Sequence, residues 1–235
     1  MPDPREVRSM FARIAGRYDL LNRVLSLGID RRWRTRTIAA AGELDGRVVV
    51  DACCGTGDLS LEFLKHGARV VGVDFTPEMV RLAPAKVPSG RPRCVFATGD
   101  ALRLPVRTAS ADVASVAFGV RNLSDPRAGL CEFARVVKPG GRVLVLEFST
   151  PKSRVIGALY GFYFTRVLPR IGGWISGDAE AYRYLPRTVL AWPGPDEFQR
   201  WFEAAGLVEC GYRPLSFGIA YLHWGRVPER AAPRG

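Results

Sequence analysis

The sequence predicts an α/β protein built on a mostly parallel, doubly wound sheet. Short β-branched runs alternate with helix-period stretches from Arg47 to Phe148. That alternation places consecutive strands side by side, with helices covering both faces. The runs themselves, such as "RVVVDA" and "RVLVLEF", are nearly continuous in apolar residues, as strands buried on both faces are. A third observation marks an edge: the first run stops in a glycine turn, "CCGTGD", at Cys53–Asp58.

Residues 5–42 precede the first strand and read as an N-terminal helical segment, punctuated by Gly16 and Gly28. After the glycine turn, "LSLEFLKHG" has helical spacing and a glycine stop. "ARVVGVD" is a second strand, and "TPEMVRLAPAK" a helix with Thr76 as N-cap and Pro77 in its first turn. "RCVFATGD" and "ADVASVAF" are the third and fourth strands. "PRAGLCEFARVVKPGG" reads as a helix stopped by its glycines, and "RVLVLEF" as the fifth strand. Residues 149–194, rich in aromatics, Gly and Pro, break the rhythm and read as an inserted, largely helical cap. "PDEFQRWFEAAG" resumes as a helix, and "LVECGYRPL" and "FGIAYLHWGRV" form an antiparallel pair. The expected organisation is one domain over residues 1–227, with a disordered tail over 228–235.

The bulk numbers exclude some classes. The 235 residues, 47% apolar and 24% charged, suit one large globular domain. No apolar run approaches the roughly 20 residues of a membrane span, and "MPDPREVRSMF" lacks a signal-peptide core, so the expected location is the cytoplasm. The five cysteines are odd in number and have no CxxC or histidine cluster beside them. Small buried thiols are expected rather than a zinc site or disulfide framework. The net charge of +11 suits nucleic acid, anionic lipid, an acidic substrate or a plain solvated face. Charge alone does not choose.

The glycine turn is more informative. In open parallel sheets, ligands bind beyond the carboxyl ends of the strands. Glycines there let the backbone approach a ligand, and the next helix offers free N–H groups. Both dinucleotides and S-adenosylmethionine use this geometry. A dinucleotide site wants G-x-G-x-x-G; here Ser60 replaces the third glycine, and Asp58 sets a carboxylate where a pyrophosphate would sit. Asp74 ends the second strand, where it can accept from both hydroxyls of an adenosine ribose. Asp100 ends the third, where it can accept from the adenine amino group beside Ala101. Each acid alone could be a turn or cap residue. Acids at successive strand ends after this turn point to S-adenosylmethionine.

These residues resemble a known family. "DACCGTGDLS", "VVGVDFTPEM", "GDALRLP" and "VKPGGRVLVLEF" look like a class I methyltransferase. More narrowly, "MFARIAGRYDLLNRVLSLGIDRRWR", "FGVRNLSDP", "LEFSTP" and "LPRIGGWISGDAEAYRYLPRTV" resemble the UbiE/MenG quinone C-methyltransferases of menaquinone and ubiquinone biosynthesis, from about Val7 to Val227. The resemblance implies a Rossmann-like, seven-stranded sheet with an antiparallel last strand. It implies S-adenosyl-L-methionine as cofactor and a polyprenylated quinol as substrate, with the menaquinone reading favoured by the "YLPRTV…WP" form of the cap. Thr56, Asp74, Asp100 and Ala101 fall on the family's cofactor positions. Ala117 stands where some members carry serine. The candidate cofactor residues are therefore Tyr18, Asp51, Gly55, Thr56, Gly57, Asp74, Phe75, Asp100, Ala101 and Ala117.

The chemistry follows from the substrate that the resemblance implies. A ring carbon is a weak nucleophile unless the neighbouring oxygen is deprotonated, so the reduced quinol is the expected substrate. Arg121 and Asn122 follow the fourth strand and are the candidate catalytic residues. Arg121 is assigned to stabilising the developing oxyanion, since an arginine is a poor base; the resemblance adds a water-mediated deprotonation. No metal is expected. The aromatic stretch "YGFYFTRVLP" could line a channel for a prenyl tail, or face a bilayer, with "RRWRTR" at Arg31–Arg36 meeting anionic headgroups. Peripheral membrane contact is thus expected, and a homodimer is left open. Nucleic-acid methylation would also explain the charge. However, no polar-Pro-Pro-aromatic motif follows the fourth strand, and no Pro-Cys nucleophile occurs.

Overall fold

The computed structural model describes residues 3–88, 93–151, 153–167, 170 and 179–229. Seven strands form one sheet: β1 (Val48–Ala52), β2 (Arg69–Asp74), β3 (Cys94–Thr98), β4 (Ala111–Ala117), β5 (Val137–Phe148), β6 (Val208–Leu215) and β7 (Ala220–Arg226). Their spatial order is β3-β2-β1-β4-β5-β7-β6. The first five are parallel, and β7 runs antiparallel between β5 and β6. The β-branched runs of the sequence are these buried central strands. The strand order reverses between β1 and β4, the place where open α/β sheets bind ligands.

The helices before the sheet are α1 (Pro4–Ile14), α2 (Tyr18–Leu25) and α3 (Ile29–Ala41). Asp3 caps α1 by accepting from Arg5 N, with Pro4 in the first turn. Then come α4 (Asp58–Lys65), α5 (Pro77–Leu82), α6 (Pro126–Val136), α7 (Arg154–Phe162), α8 (Ala179–Leu190) and α9 (Pro195–Ala204). One sheet face packs Phe133, Phe198 and Phe202 from α6 and α9. The other packs Ile38, Phe63 and Leu64 from α3 and α4. Over the carboxyl edge, Met10, Ile14 and Leu21 of the N-terminal helices share a cluster with Tyr160 and Val189 of the cap. The two appendages to the sheet therefore close over the same edge.

Three local expectations change. The "VKPGG" glycines do not stop a helix: α6 ends at Val136 and β5 already begins at Val137. Gly141 is there for contact, since a Cβ on it would lie 2.5 Å from the Asp112 carbonyl oxygen on β4. Thr76 holds the N-cap position of α5 without a side-chain capping bond; Asp74 Oδ1 accepts from Thr76 N instead, at 2.8 Å. The run Arg31–Arg36 is not a uniform basic face. Trp33 and Arg34 are buried, and Arg34 pairs with Asp30 at 2.7 Å and Asp58 at 3.3 Å. The proposed tail beyond Glu229 and residues 168–169 and 171–178 of the expected cap lie outside the described residues.

Candidate active site

Two adjoining cavities open at the carboxyl edge. The first, about 350 Å³, lies over the switch between β1 and β4. The second, about 390 Å³, lies under α1–α3 and the cap. Phe11, Tyr18 and Phe118 line both and so form the partition. The walls of the first hold Gly55, Asp74, Phe75, Asp100, Ala101, Ala117 and Asn122. Those of the second are mainly apolar, with Ile14, Trp33, Phe148, Tyr160 and Leu185 around Arg121.

Strain marks the edge of this site. Cys53 after β1 and Phe118 after β4 are non-glycine residues in the left-handed region, with φ 53° and 58°. Between them Gly119 leaves no room: a Cβ there would lie 2.4 Å from Cys53 Cβ. The two strand ends therefore pack backbone to side chain at the switch point. Gly55 also needs its glycine, with φ 55°, and the Tyr18 ring lies 3.7 Å from where its Cβ would be. Burial, with the nearby Asp74 and Asp51 charges adding to it, pushes the Cys53 thiol well up, which disfavours the thiolate.

Asp74 anchors the turn. It is buried, with Oδ2 accepting from Gly55 N at 2.9 Å and Oδ1 from Thr76 N at 2.8 Å. Burial raises its pKa, and those two backbone donors oppose the rise. Each oxygen keeps a lone pair for a ligand hydroxyl. Asp100 is exposed at the cavity rim, with Oδ1 accepting from Leu102 N at 2.9 Å. The glycine turn, paired strand-end acids and the apolar lining by Phe75, Met79 and Ala101 suit an adenosine with its two hydroxyls and amino group.

Three candidates from the sequence do not line either cavity. Thr56 is 2% exposed; its hydroxyl donates to Asp19 Oδ1 at 2.5 Å and accepts from Lys86 Nζ at 3.0 Å. Lys86 also pairs with Asp19 and, at 2.8 Å, with Asp58. Thr56 thus ties the glycine turn to helix α2, and Gly57 lies behind it, where a Cβ would lie 3.0 Å from Phe96. Asp51, 1% exposed, lies beneath the turn and accepts from Ser60 Oγ at 2.5 Å. Burial, opposed by the Ser60 hydroxyl and reinforced by Asp74, pushes Asp51 up to about 7.

That shift has a testable sign. The native state holds a proton that the unfolded chain, with a carboxyl near 3.9, releases. Asp51 therefore supports folding most below about pH 4, and its support is lost as pH rises toward 7. Asp51→Asn flattens this dependence: its urea midpoint changes less between pH 5 and pH 7.5 than that of the parent protein. Parallel midpoint curves would show that Asp51 does not titrate there.

Arg121 and Asn122 face different cavities. Arg121 is buried and pairs with Glu147 at 2.6 Å, and its Nη1 also donates to the Phe118 carbonyl at 2.7 Å. Glu147 Oε1 further accepts from Phe148 N at 2.8 Å, and Oε2 from Arg121 N at 3.3 Å. Arg121 Nε is buried with no partner. Asn122 Oδ1 accepts from the Tyr184 hydroxyl at 3.0 Å, which joins the cap to the switch-point loop. Sequence reasoning missed Glu147, although an acid inside the buried run "RVLVLEF" was the available signal, since such a group must be paired. It also missed Lys86, which no local pattern marks.

The fold is that of S-adenosylmethionine-dependent methyltransferases. The methyltransferase solved with the Haloferax volcanii Trm112 activator matches with TM-score 0.68 and 18% identity, over 93% of this chain and 98% of that one. A SAM-dependent methyltransferase of Thermotoga maritima matches with TM-score 0.65 and 17% identity, over 93% and 99%. The family model described as the ubiE/COQ5 methyltransferase family matches residues 2–227, and the chain belongs to that family. A demethylmenaquinone methyltransferase of Deinococcus radiodurans is 49% identical over 93% of this chain and 91% of its own length. One of Thermus thermophilus is 45% identical, over 93% and 100%. A ubiquinone/menaquinone biosynthesis C-methyltransferase UbiE of Geobacter sulfurreducens is 43% identical, over 93% and 87%. The protein is a SAM-dependent C-methyltransferase, with S-adenosyl-L-methionine as its cofactor.

Proposed function

We propose that the protein methylates a ring carbon of a polyprenylated naphthoquinol, converting a demethylmenaquinol to a menaquinol. The carrying observation is the partition: an acid-rimmed cavity suited to an adenosine meets an apolar cavity containing a buried Arg121–Glu147 pair, with only Phe11, Tyr18 and Phe118 between them. Asp74 and Asp100 would hold the ribose and adenine, and Gly55 would give the backbone room beside them. When bound, the cofactor supplies an electrophilic methyl group.

The chain's own residues do the rest. The walls of the second cavity exclude water and suit a flat ring and a prenyl tail. Arg121, fixed by Glu147 and the Phe118 carbonyl, presents its guanidinium as a preorganised donor to an oxygen whose negative charge grows as the ring carbon attacks. The naphthoquinol is favoured because the 49% identical Deinococcus radiodurans relative carries the demethylmenaquinone name. We also read the apolar cavity as fed from a membrane surface. No helix among the described residues is long and apolar enough to cross a membrane.

Turnover tests this reading. Purified protein, labelled cofactor and chemically reduced demethylmenaquinol in detergent should place label on one ring carbon, faster than with a benzoquinol. Faster transfer to the benzoquinol would move the protein to the ubiquinone branch. No transfer to either quinol, with cofactor still bound, would sink the quinol assignment.

A further inference from the structure

Among the described residues, the two most exposed large apolar side chains are Leu27, 82% exposed, and Phe217, 79% exposed. Both sit on left-handed backbone, with φ 52° and 61°. Such backbone strains any residue with a Cβ, and exposure forfeits the burial that an apolar side chain would contribute. Each is followed by a glycine that adopts the same region without strain, Gly28 at 75° and Gly218 at 88°. Folding alone would favour a polar residue or a glycine at both positions.

The two turns belong to one surface. Trp33 Nε1 on α3 donates to Ser216 Oγ at 2.9 Å, and Ile29 and Ile219 pack on the same cluster. Leu27, Ile29, Trp33 and Ile219 also line the apolar cavity, so the tip lies at its rim. Arg31 and Arg32 on the first turns of α3, and Arg213 on β6 just before the second turn, are exposed beside it. An apolar tip flanked by cations is complementary to an anionic lipid surface.

We propose that Leu27 and Phe217 insert into the headgroup layer of an anionic bilayer, and that the apolar cavity takes its lipid-tailed substrate from that layer. This rests on the quinol reading for the substrate, but the docking surface stands on its own geometry. Phe217 lines neither cavity, so it separates docking from chemistry.

The test is sedimentation with phosphatidylglycerol–phosphatidylcholine vesicles. Phe217→Ser should lower partition roughly tenfold, and Phe217→Trp should retain it. Turnover of a short-tailed quinol in detergent should be unchanged in Phe217→Ser, while turnover of a long-tailed quinol in vesicles falls. Phe217→Gly, which relieves the backbone, should lose vesicle binding without a lower melting temperature. Equal sedimentation of the parent protein and Phe217→Ser would overturn the proposal. So would a concentration-dependent dimer that Phe217→Ser dissociates with vesicle binding unchanged, since the surface would then meet a second copy. Vesicle binding that depends on Phe217 in a protein inactive on every quinol would uphold the surface and reject the quinol reading.

Discussion

Asp74→Asn weakens binding of S-adenosyl-L-homocysteine by roughly 100-fold, measured by titration calorimetry. The size follows from the double duty of the carboxylate, whose two oxygens hold Gly55 N and Thr76 N while lining the first cavity. An asparagine supplies one acceptor oxygen and turns its NH₂ toward a backbone N–H. One buried donor is left unpaired and the other loses a charged partner, at about 1.5–3 kcal/mol for a charge-assisted bond. The same loss loosens Gly55, so the cradle and its anchor fail together. Asp100→Asn should cost less, about tenfold, because Asp100 is exposed and accepts from one backbone group, Leu102 N. An Asp74→Asn protein with affinity within threefold of the parent would remove Asp74 from the site.

This ordering of the two acids shows what the sequence could and could not carry. Strand ends were legible because "VVGVD" and "ATGD" stop buried β-branched runs at acids, and open sheets bind ligands at that edge. What each acid bonds was not legible. Asp51 also ends an apolar run, yet its side chain turns under the glycine loop to Ser60 on α4. Period-two alternation gives a face of the sheet, not the depth at which a side chain meets its partner. Thr56 was placed by its motif, but its contacts come from Asp19 and Lys86, distant in sequence. Arg34 was legible in another way: Asp30 and Arg34 have the spacing of a helical ion pair, but the surrounding arginines drew the whole run toward the surface. The boundary between α6 and β5 was misplaced because glycines that stop a helix and glycines that let strands approach look alike in one dimension.

The largest effect on chemistry belongs to the Arg121–Glu147 pair. Arg121→Met lowers kcat by about 10²–10³, the range for removing one preorganised donor at a developing oxyanion. It leaves cofactor affinity within a few-fold, because Arg121 lines the second cavity and not the first. Glu147→Gln alone would confound folding with function. It leaves a buried guanidinium short of its counter-charge, which costs about 3–5 kcal/mol when a buried pair is broken. The double substitution Arg121→Met with Glu147→Gln separates the two, since glutamine keeps an acceptor for the Arg121 and Phe148 backbone N–H groups. It removes both buried charges together, so the double variant should melt above Glu147→Gln alone and still fail to turn over. Two further features favour chemistry over packing. The pair is held by more bonds than an ion pair needs, with Glu147 accepting from both Arg121 and Phe148 backbone N–H groups. And only Nη1 of the guanidinium bonds to protein acceptors among the described residues, which leaves guanidinium donors for a substrate oxygen in the second cavity. An Arg121→Met protein retaining more than a tenth of parent kcat, or a double variant that regains turnover, would reduce the pair to a tie between β5 and the switch-point loop.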